Sequence, residues 1–312
     1  MKRITAAIIT IILISAPLMA ATAVYDNSSA VAGKFLDLPA GAAAAGMGNA
    51  YINSSKDAYA AFWNPAGLSN MMREQKQWSM FFSHNVWIMD MMIDHLSIAS
   101  YFPQYGVFAV NLAYFNAGPI ERYNLDSGGL YVENGTYSPF SIMTGLAYSN
   151  RLDRDIDFGI NLKYIYDDID GSSAHAWAFD AGIKYFSPLK GLNFGITASN
   201  FAGTLNGFML PKEISFAVSY SAEIHKYGID AEYNIAGKVN NTPLHRIGLQ
   251  VATPYLVIIR LGYQTDNSLV EEGFRNMTIG AGMDVDGRFI DFSYEPFGDI
   301  GNSFKLSIGG DF

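Results

Sequence analysis

Residues 302–312 read Asn-Ser-Phe-Lys-Leu-Ser-Ile-Gly-Gly-Asp-Phe, a stretch in which apolar residues alternate with polar or small ones. Phe304 and Leu306 share one face, whereas Lys305 and Ser307 lie on the other. Successive side chains of a β-strand point to opposite faces, so this period of two predicts a strand with one apolar and one polar face. The same alternation recurs through most of the chain, which predicts an all-β fold.

The alternating stretches can be counted. Each is about eleven residues long, and at ~3.3 Å per residue and a tilt of ~40° it would cross roughly 28 Å, the height of an apolar membrane band. There are fourteen of them, and an even number is typical of single-chain bacterial membrane barrels. The predicted strands are 77–89, 93–103, 105–117, 138–150, 155–167, 174–186, 191–201, 213–222, 226–236, 244–253, 255–265, 274–285, 288–297 and 302–312.

Composition favours a membrane barrel over soluble alternatives. Half of the chain is apolar and only 16% is charged, against about 25% in an ordinary soluble domain. A soluble sandwich would also alternate, but with shorter strands and a polar face richer in Lys and Glu. The 20 basic and 29 acidic residues oppose a nucleic-acid partner, which requires a basic face. The absence of cysteine excludes disulfides and cysteine-ligated metals.

The links between the predicted strands also favour a barrel. With the N-terminus in the periplasm, every second link is expected to be a short turn and the others longer outer loops. The predicted short turns are 104, 151–154, 187–190, 223–225, 254 and 286–287. The predicted outer loops are 116–137, 168–173, 202–212, 237–243, 266–273 and 298–301, with 90–92 as the single short link among them.

The first residues have the order of an export signal. A basic start at 1–3 precedes an apolar run over 4–18 and small residues at 21–23, which predicts a cleaved signal peptide over 1–23. The alternative is a transmembrane anchor, for which the run is short. An exported and apolar chain is predicted to lie in the bacterial cell outer membrane, with lipid as its surroundings.

The last predicted strand resembles a sorting signal. It alternates to a final aromatic residue, as do the segments that the outer-membrane barrel-assembly machinery reads. That machinery is therefore an expected partner. The signal would comprise Phe304, Leu306, Ile308 and Phe312.

Residues 24–76 differ from the predicted barrel, which spans 77–312. They lack long alternation, and their centre at 41–48 reads Gly-Ala-Ala-Ala-Ala-Gly-Met-Gly. A fourteen-stranded barrel encloses a lumen too wide for wall side chains alone to fill. Small residues allow close backbone packing in a confined space, so this segment is predicted to be an N-terminal hatch or plug.

A family resemblance rests on four motifs of this segment. They are Phe-Leu at 35–36, Gly-Ala-Ala-Ala-Ala-Gly-Met-Gly-Asn-Ala-Tyr at 41–51, Lys-Asp-Ala at 56–58 and Phe-Trp-Asn-Pro-Ala-Gly-Leu at 62–68. In this order they resemble the N-terminal signature of the PorV/PorQ-like (UPF0164) outer-membrane proteins, which are related to the FadL long-chain fatty acid transporters. The resemblance implies a fourteen-stranded barrel with a hatch. It also implies hatch or gating residues at Gly46, Gly48, Asp57, Asn64, Pro65 and Ala66.

The Asn-Pro pair within these motifs has a physical interpretation of its own. Asn64 is restricted to extended conformations by the following proline, and Pro65 has no amide hydrogen. The pair therefore fixes a turn. It can be a structural corner that leads into the first strand, or it can take a direct part in gating.

The polar face of the predicted strands carries charges of both signs. Mixed signs favour salt bridges that hold plug and wall together, whereas a ring of one sign would indicate ion selectivity. None of the five histidines has a metal-ligand spacing, and we expect no enzyme, no cofactor and no metal. The predicted inward set is Asp157, Asn161, Lys163, Asp180, Lys184, Asp230, Glu232, Asn234, Arg246, Gln250, Arg260, Gln264, Asp284, Asp291 and Lys305.

Three classes of function follow. The first is a transporter that moves or binds hydrophobic small molecules, and the hatch-like segment favours it. The second, implied by the resemblance, is a partner or shuttle of type IX protein secretion, whose secretion-system proteins could contact Leu125, Leu130 and Tyr131 in the longest loop. The third is a structural barrel without cargo. The sequence ranks transport first.

Overall fold

The computed structural model describes residues 30–238, 243–265 and 276–312, so the predicted signal peptide lies outside the described residues. Fourteen strands form one closed antiparallel barrel, in which each strand pairs with its neighbours in chain order and the last pairs with the first. The predicted fold class is thus confirmed. The strands are β1 Trp78–Val86, β2 Met92–Phe102, β3 Gly106–Asn116, β4 Phe140–Asp153, β5 Ile156–Ile169, β6 Ser172–Phe186, β7 Leu192–Phe201, β8 Glu213–Ile224, β9 Tyr227–Lys238, β10 Leu244–Ala252, β11 Val257–Gln264, β12 Met277–Val285, β13 Arg288–Pro296 and β14 Asn302–Asp311.

The alternation of each strand sorts its side chains between the two faces of the wall. On β5, Asn161 and Lys163 are buried, whereas Ile160 and Leu162 are each 51% exposed. Large apolar side chains are exposed in the same way around the ring. They include Val110, Leu146, Leu249, Ile259, Leu261, Ile279, Ile290, Phe292, Phe304, Leu306 and Ile308.

The links differ between the two ends of the barrel. One end, the short-turn end, has the links 103–105, 154–155, 187–191, 225–226, 253–256 and 286–287. The other, the long-loop end, has the longer links 117–139 and 202–212, each of which carries a small hairpin. The predicted loop 237–243 lies partly outside the described residues, and the predicted loop 266–273 lies wholly outside them.

One predicted outer loop is wrong. The stretch 168–173 is a tight hairpin, because β5 continues to Ile169 and β6 begins at Ser172. The two residues between them, Asp170 and Gly171, both have positive φ angles, of 54° and 80°. Asp-Gly in this conformation forms the two-residue turn whose twist matches that of antiparallel strands.

Residues 30–77 precede the barrel and are called the N-terminal segment below. They contain two short α-helices, α1 Ala42–Gly46 and α2 Asn70–Glu74, and three 3-10 helices, Lys34–Asp37, Asp57–Phe62 and Pro65–Ser69. None of the helices in the described ranges is long or apolar enough to cross a membrane.

Candidate functional site

The N-terminal segment contacts the inner face of the wall. The amide of Ala42 donates to the hydroxyl of Ser307 on β14 at 2.8 Å. The amide of Asn53 donates to the carboxylate of Glu232 on β9 at 2.9 Å. Because both wall side chains are buried on the lumen side, the segment lies on that side too. Its action as a hatch or plug stays a prediction.

Gly46 and Gly48 lie against strands β11 and β12 at backbone distance. A Cβ on Gly46 would lie 2.8 Å from the Cα of Gly280, and one on Gly48 would lie 2.5 Å from the amide nitrogen of Tyr263. Gly48 also has a φ of 60°. Only glycine allows both the close approach and the left-handed backbone, so the two residues have a structural reason for their identity.

Asn64, Pro65 and Ala66 form a corner on the opposite part of the wall. The side chain of Asn64 accepts a hydrogen bond from the amide of Ala66 at 3.1 Å and caps the 3-10 helix that begins at Pro65. The corner lies against Gly159 and Gly182, which are paired with each other on β5 and β6. These contacts support the interpretation of Asn64–Ala66 as a structural corner, whereas gating stays a prediction.

Asp57 lies in an ionic cluster near the short-turn end. It is buried, and its carboxylate accepts from the Lys76 ammonium and from Asn70, each at 3.0 Å. Lys76 also reaches Asp311 at 2.5 Å, which ties the segment to β14. Burial raises the pKa of Asp57, and the nearby Asp311 raises it further.

The same cluster changes the pKa of its lysine. Burial alone would lower the pKa of Lys76, but hydrogen bonds to the carboxylates of Asp311, Glu74 and Asp57 outweigh it and raise the pKa. The ammonium therefore stays charged at neutral pH.

Ion pairs link other parts of the lumen. Arg73 of the segment contacts Asp157 on β5 at 2.7 Å, and Ser69 donates to the same carboxylate at 2.5 Å. Pairs within the wall have charges of both signs, as the salt-bridge interpretation predicts. They are Lys163–Asp180, Arg246–Glu213, Arg260–Asp291 and Lys305–Glu295. None of the described residues forms a group of three or more side chains that could hold a metal ion.

Two cavities flank the segment. The long-loop cavity has a volume of about 470 Å³, and apolar residues such as Phe35, Phe62 and Phe297 line part of it. The short-turn cavity has a volume of about 770 Å³ and is lined by residues such as Tyr59 and Asp291. No described residue lines both cavities, so the segment and the wall side chains around it separate them.

The wall is discontinuous beside the long-loop cavity. Strand β7 pairs with β6 only from Phe179 onward, so 172–178 of β6 has no β7 partner among the described residues. The ladder shifts register between Phe179 and Ala181, and Asn200 on β7 has a φ of 61°. This is a β-bulge, which ends the pairing and bends the strand.

Loop 202–212 lies beside this discontinuity. Its side chains Leu205 and Leu210 are buried in a cluster with inward-facing alanines of β6 and with Phe35 of the segment. The Asn200 side chain donates to the carbonyl of Pro211 at 3.0 Å and thereby holds the end of the loop. The amide of Ala32 donates to the carbonyl of Met209 at 2.9 Å, so the loop also contacts the segment.

Sequence reasoning missed this part of the wall. The gating residues implied by the resemblance lie at Asn64–Ala66, where β5 and β6 are continuously paired. The discontinuity lies at the start of β6, over 172–178. A signal was present in the inward-facing residues at 174, 176 and 178, which are all alanine and leave room for loop side chains.

The residues of the predicted assembly signal share the outer face. Phe304, Leu306, Ile308 and Phe312 are each between 45% and 59% exposed. The amide of Phe312 donates to the carbonyl of Trp78 at 2.7 Å, so the last residue is joined to the start of β1. Recognition by the assembly machinery stays a prediction.

Comparison with known proteins places this architecture in a class. No protein-family model matches the chain, and neither does any curated protein. Among solved structures, it resembles the P. putida toluene transporter TodX (TM-score 0.59, 11% identity, 87% of this chain and 98% of TodX). It also resembles the CymD monoaromatic hydrocarbon channel (0.56, 11%, 87% and 97%). A third similar structure is a Pseudomonas aeruginosa FadL homologue (0.54, 11%, 88% and 99%).

At these identities the likeness shows a shared fold. The chain is thus a closed fourteen-stranded barrel with the fold of TodX, CymD and the FadL homologue. The comparisons give no support to the PorV/PorQ-like resemblance or to the secretion role that it implied.

Proposed function

We propose that this chain resides in the bacterial outer membrane and moves hydrophobic small molecules sideways through its wall. The molecule would enter the long-loop cavity and leave between β6 and loop 202–212. The segment would block the direct path along the lumen.

The exposed side chains support a membrane setting. The outward face carries a contiguous band of apolar residues such as Leu146, Ile160 and Ile279, each about half exposed or more. An exposed apolar surface of this extent marks contact with lipid or with another apolar partner. A closed barrel is also one of the two structures that can satisfy every backbone group inside a bilayer.

The observation that carries the proposal is the discontinuity between β6 and β7 beside the long-loop cavity. Elsewhere in the described wall, opening a side path would require breaking a regular ladder of backbone hydrogen bonds. Beside 172–178 the barrier consists of loop side chains, chiefly Leu205 and Leu210. Apolar contacts are non-directional, so a hydrophobic molecule can replace them without leaving polar groups unpaired.

The names of the similar proteins agree with this proposal. TodX is described as a toluene transporter and CymD as a monoaromatic hydrocarbon channel. Both names describe small apolar compounds, the class of molecule that the apolar loop contact would pass. We therefore take toluene as the first test compound and a long-chain fatty acid as the second.

The test measures uptake of radiolabelled toluene and oleate by Gram-negative host cells that lack a channel of this kind. The double variant Leu205→Gln, Leu210→Gln places two amides in the proposed exit. We expect uptake to fall at least tenfold, because each amide costs desolvation energy in an apolar path.

The matched control is Leu125→Gln, Leu130→Gln. It makes the same chemical change on the exposed hairpin of loop 117–139, where the two leucines are 63% and 69% exposed. Its uptake should equal that of the unaltered protein. Equal uptake by both double variants, at equal amounts of folded barrel, would rule out this exit.

A further inference from the structure

Four neighbouring strands of the inner wall carry polar side chains, several of which lack a hydrogen-bond partner among the described residues. They are β13, β14, β1 and β2. Ser83 of β1 is paired with Ser307 on one side and His95 on the other. In the next row, Lys305 of β14 is paired with Asn85 and Ser293. We call this surface the polar strip.

Five side chains of the polar strip have a buried polar atom that lacks a hydrogen-bond partner among the described residues. Half of all such atoms in the described chain thus fall on these four strands. Buried polar groups are nearly always paired, and an unpaired one is costly. The atoms are the hydroxyls of Ser83, Ser97 and Ser293, Nδ2 of Asn85 and Nδ1 of His95.

The surface that packs on these strands offers few hydrogen-bonding side chains. Helix α1 packs on β13 and β14, and the 3-10 helix Asp57–Phe62 packs on β1 and β2. These elements present mainly alanine and aromatic side chains. The ring of Phe62, for example, meets the His95 ring edge-on at 5.1 Å, and an apolar side chain cannot satisfy the hydroxyls beneath it.

The segment is held differently on the other side of the lumen. There Lys184 donates to the carbonyls of Asn53 and Ser55 at 2.6 and 3.1 Å. Ser54 donates to Glu232 through both its amide and its hydroxyl. These groups already have hydrogen-bond partners in the protein, so exposure to water would add none.

On the polar strip, residues 42–62 of the segment pair only through the amides of Ala42 and Ala58, which donate to Ser307 and Ser79. The segment offers no partner to the five atoms named above, and water would provide one.

The polar strip also connects the two cavities. On β13, Asp291 lines the short-turn cavity and Glu295 lines the long-loop cavity. Between them lies Ser293, whose hydroxyl lacks a hydrogen-bond partner among the described residues. Four residues at ~3.3 Å give a path of about 13 Å. On β2, His95 lines the long-loop cavity. The next inward-facing residue of β2 is Ser97, whose hydroxyl also lacks a hydrogen-bond partner among the described residues.

We propose that the polar strip is a gated path for water and small cations, which opens when residues 42–62 move away from β13, β14, β1 and β2. In the closed state the segment covers the strip. In the open state water pairs with the exposed hydroxyls and joins the two cavities. This path is separate from the sideways exit for hydrophobic molecules, and it needs no opening of the wall.

The net charge of the short-turn cavity, where the open path ends, determines which ions the path favours. Seven carboxylates and four cationic side chains line the short-turn cavity. A cavity with an excess of one sign concentrates ions of the opposite sign. The open path should therefore pass potassium in preference to chloride.

The test uses the purified full-length protein in planar lipid bilayers bathed in potassium chloride. The chain has no cysteine, so the variant Ala42→Cys, Ser307→Cys can form only the engineered disulfide, which would fasten α1 to β14. We expect brief openings in the unaltered protein and at least tenfold fewer in the oxidised variant. Reduction with dithiothreitol should restore them, and mass spectrometry would establish the disulfide.

The reduced double variant is the matched control, because it has the same two substitutions without the cross-link. Absence of openings in the unaltered protein, or openings that persist after the disulfide has formed, would overturn the proposal. Toluene uptake should be the same in the oxidised and reduced forms. If oxidation also abolished toluene uptake, and dithiothreitol restored both uptake and openings, the result would count against the sideways exit and not against the polar path.

A second variant avoids any dependence on disulfide formation. Ser97→Ala removes an unpaired hydroxyl and stabilises the closed state, so openings should become several-fold rarer. Its control is Ser149→Ala, whose hydroxyl already donates to the carbonyl of Phe158 at 2.7 Å and lies outside the polar strip. Openings in Ser97→Ala as frequent as in this control would also contradict the proposal.

Discussion

Replacing Gly159 by alanine tests how closely the corner at Pro65 sits on the wall. The new Cβ would lie 2.5 Å from the carbonyl oxygen of Pro65, about 0.9 Å inside the 3.4 Å at which ordinary contact begins. Neither side yields easily, because β5 is paired with strands on both sides and the proline ring fixes its own backbone. Overpacking costs about 1–3 kcal/mol, and a contact between two backbones belongs at the upper end.

A cost of about 3 kcal/mol shifts the equilibrium between the docked and the detached segment roughly 150-fold. Trypsin reports this shift through cleavage after Lys56 and Arg73, followed by mass spectrometry of the detergent-solubilised barrel. When opening and closing are fast relative to cleavage, the rate follows the open population, so we expect cleavage about 100-fold faster.

The control for this measurement is Gly228→Ala on β9. A Cβ there would meet only the Cβ of Ala252, at 3.4 Å, so cleavage should proceed at the unaltered rate. Heat-dependent gel migration would show that both barrels are folded. If Gly159→Ala is cleaved no faster than Gly228→Ala, the corner is not packed on the wall as described and the reasoning fails.

Three further predictions concern single side chains. Ser69→Ala should lower the free energy of unfolding by about 1–3 kcal/mol, because it removes a hydrogen bond to the buried Asp157 carboxylate, which keeps only its contacts with Arg73 among the described residues. Ser97→Ala should leave the free energy of unfolding unchanged or raise it. Urea titration in detergent distinguishes the two, and an equal loss in both would contradict the difference in bonding. The folded-state pKa of Lys76 lies above its unfolded value of about 10.4, so its ion pairs should contribute fully below that pH and be lost as the pH rises through the folded pKa. Hydrogen exchange of residues 70–77 should therefore be protected equally at pH 7 and 9, and protection that falls within this range would refute the assignment. Phe312→Ala should reduce the fraction of chain inserted into the outer membrane several-fold, as judged by fractionation, whereas Phe292→Ala, which is also exposed on the outer face, should not.

Much of the barrel could be predicted because strand alternation is a local property. The period of two is visible within each stretch, and the predicted limits of β5 at 155–167 lie close to the observed Ile156–Ile169. The error at 168–173 arises because Asp and Gly are common in open loops. In fact Asp-Gly is also the preferred pair of a tight hairpin, and only the extent of the flanking strands decides between the two.

The discontinuity and the polar strip could not be predicted, because both depend on residues far apart in sequence. The unpaired part of β6 exists because β6 has 15 residues and β7 only 10. Nothing local shows which neighbour ends first. Likewise Ser83 and Ser97 lie on two strands against which the distant 3-10 helix Asp57–Phe62 packs, and their hydroxyls find no partner among the described residues. An alternating pattern gives the face of a residue, but not what lies opposite.

The pairing of β1 with β14 has a consequence for the order of assembly. Ala42 is synthesised early, yet the side chain that its amide contacts, Ser307, comes 265 residues later. The segment therefore cannot complete its contacts until the last strand arrives, and that same strand closes the ring. Contacts between such distant residues are slow to form. The N-terminal segment thus lacks part of its contacts with the wall throughout synthesis. One strand, β14, completes both the ring and the contacts of the segment.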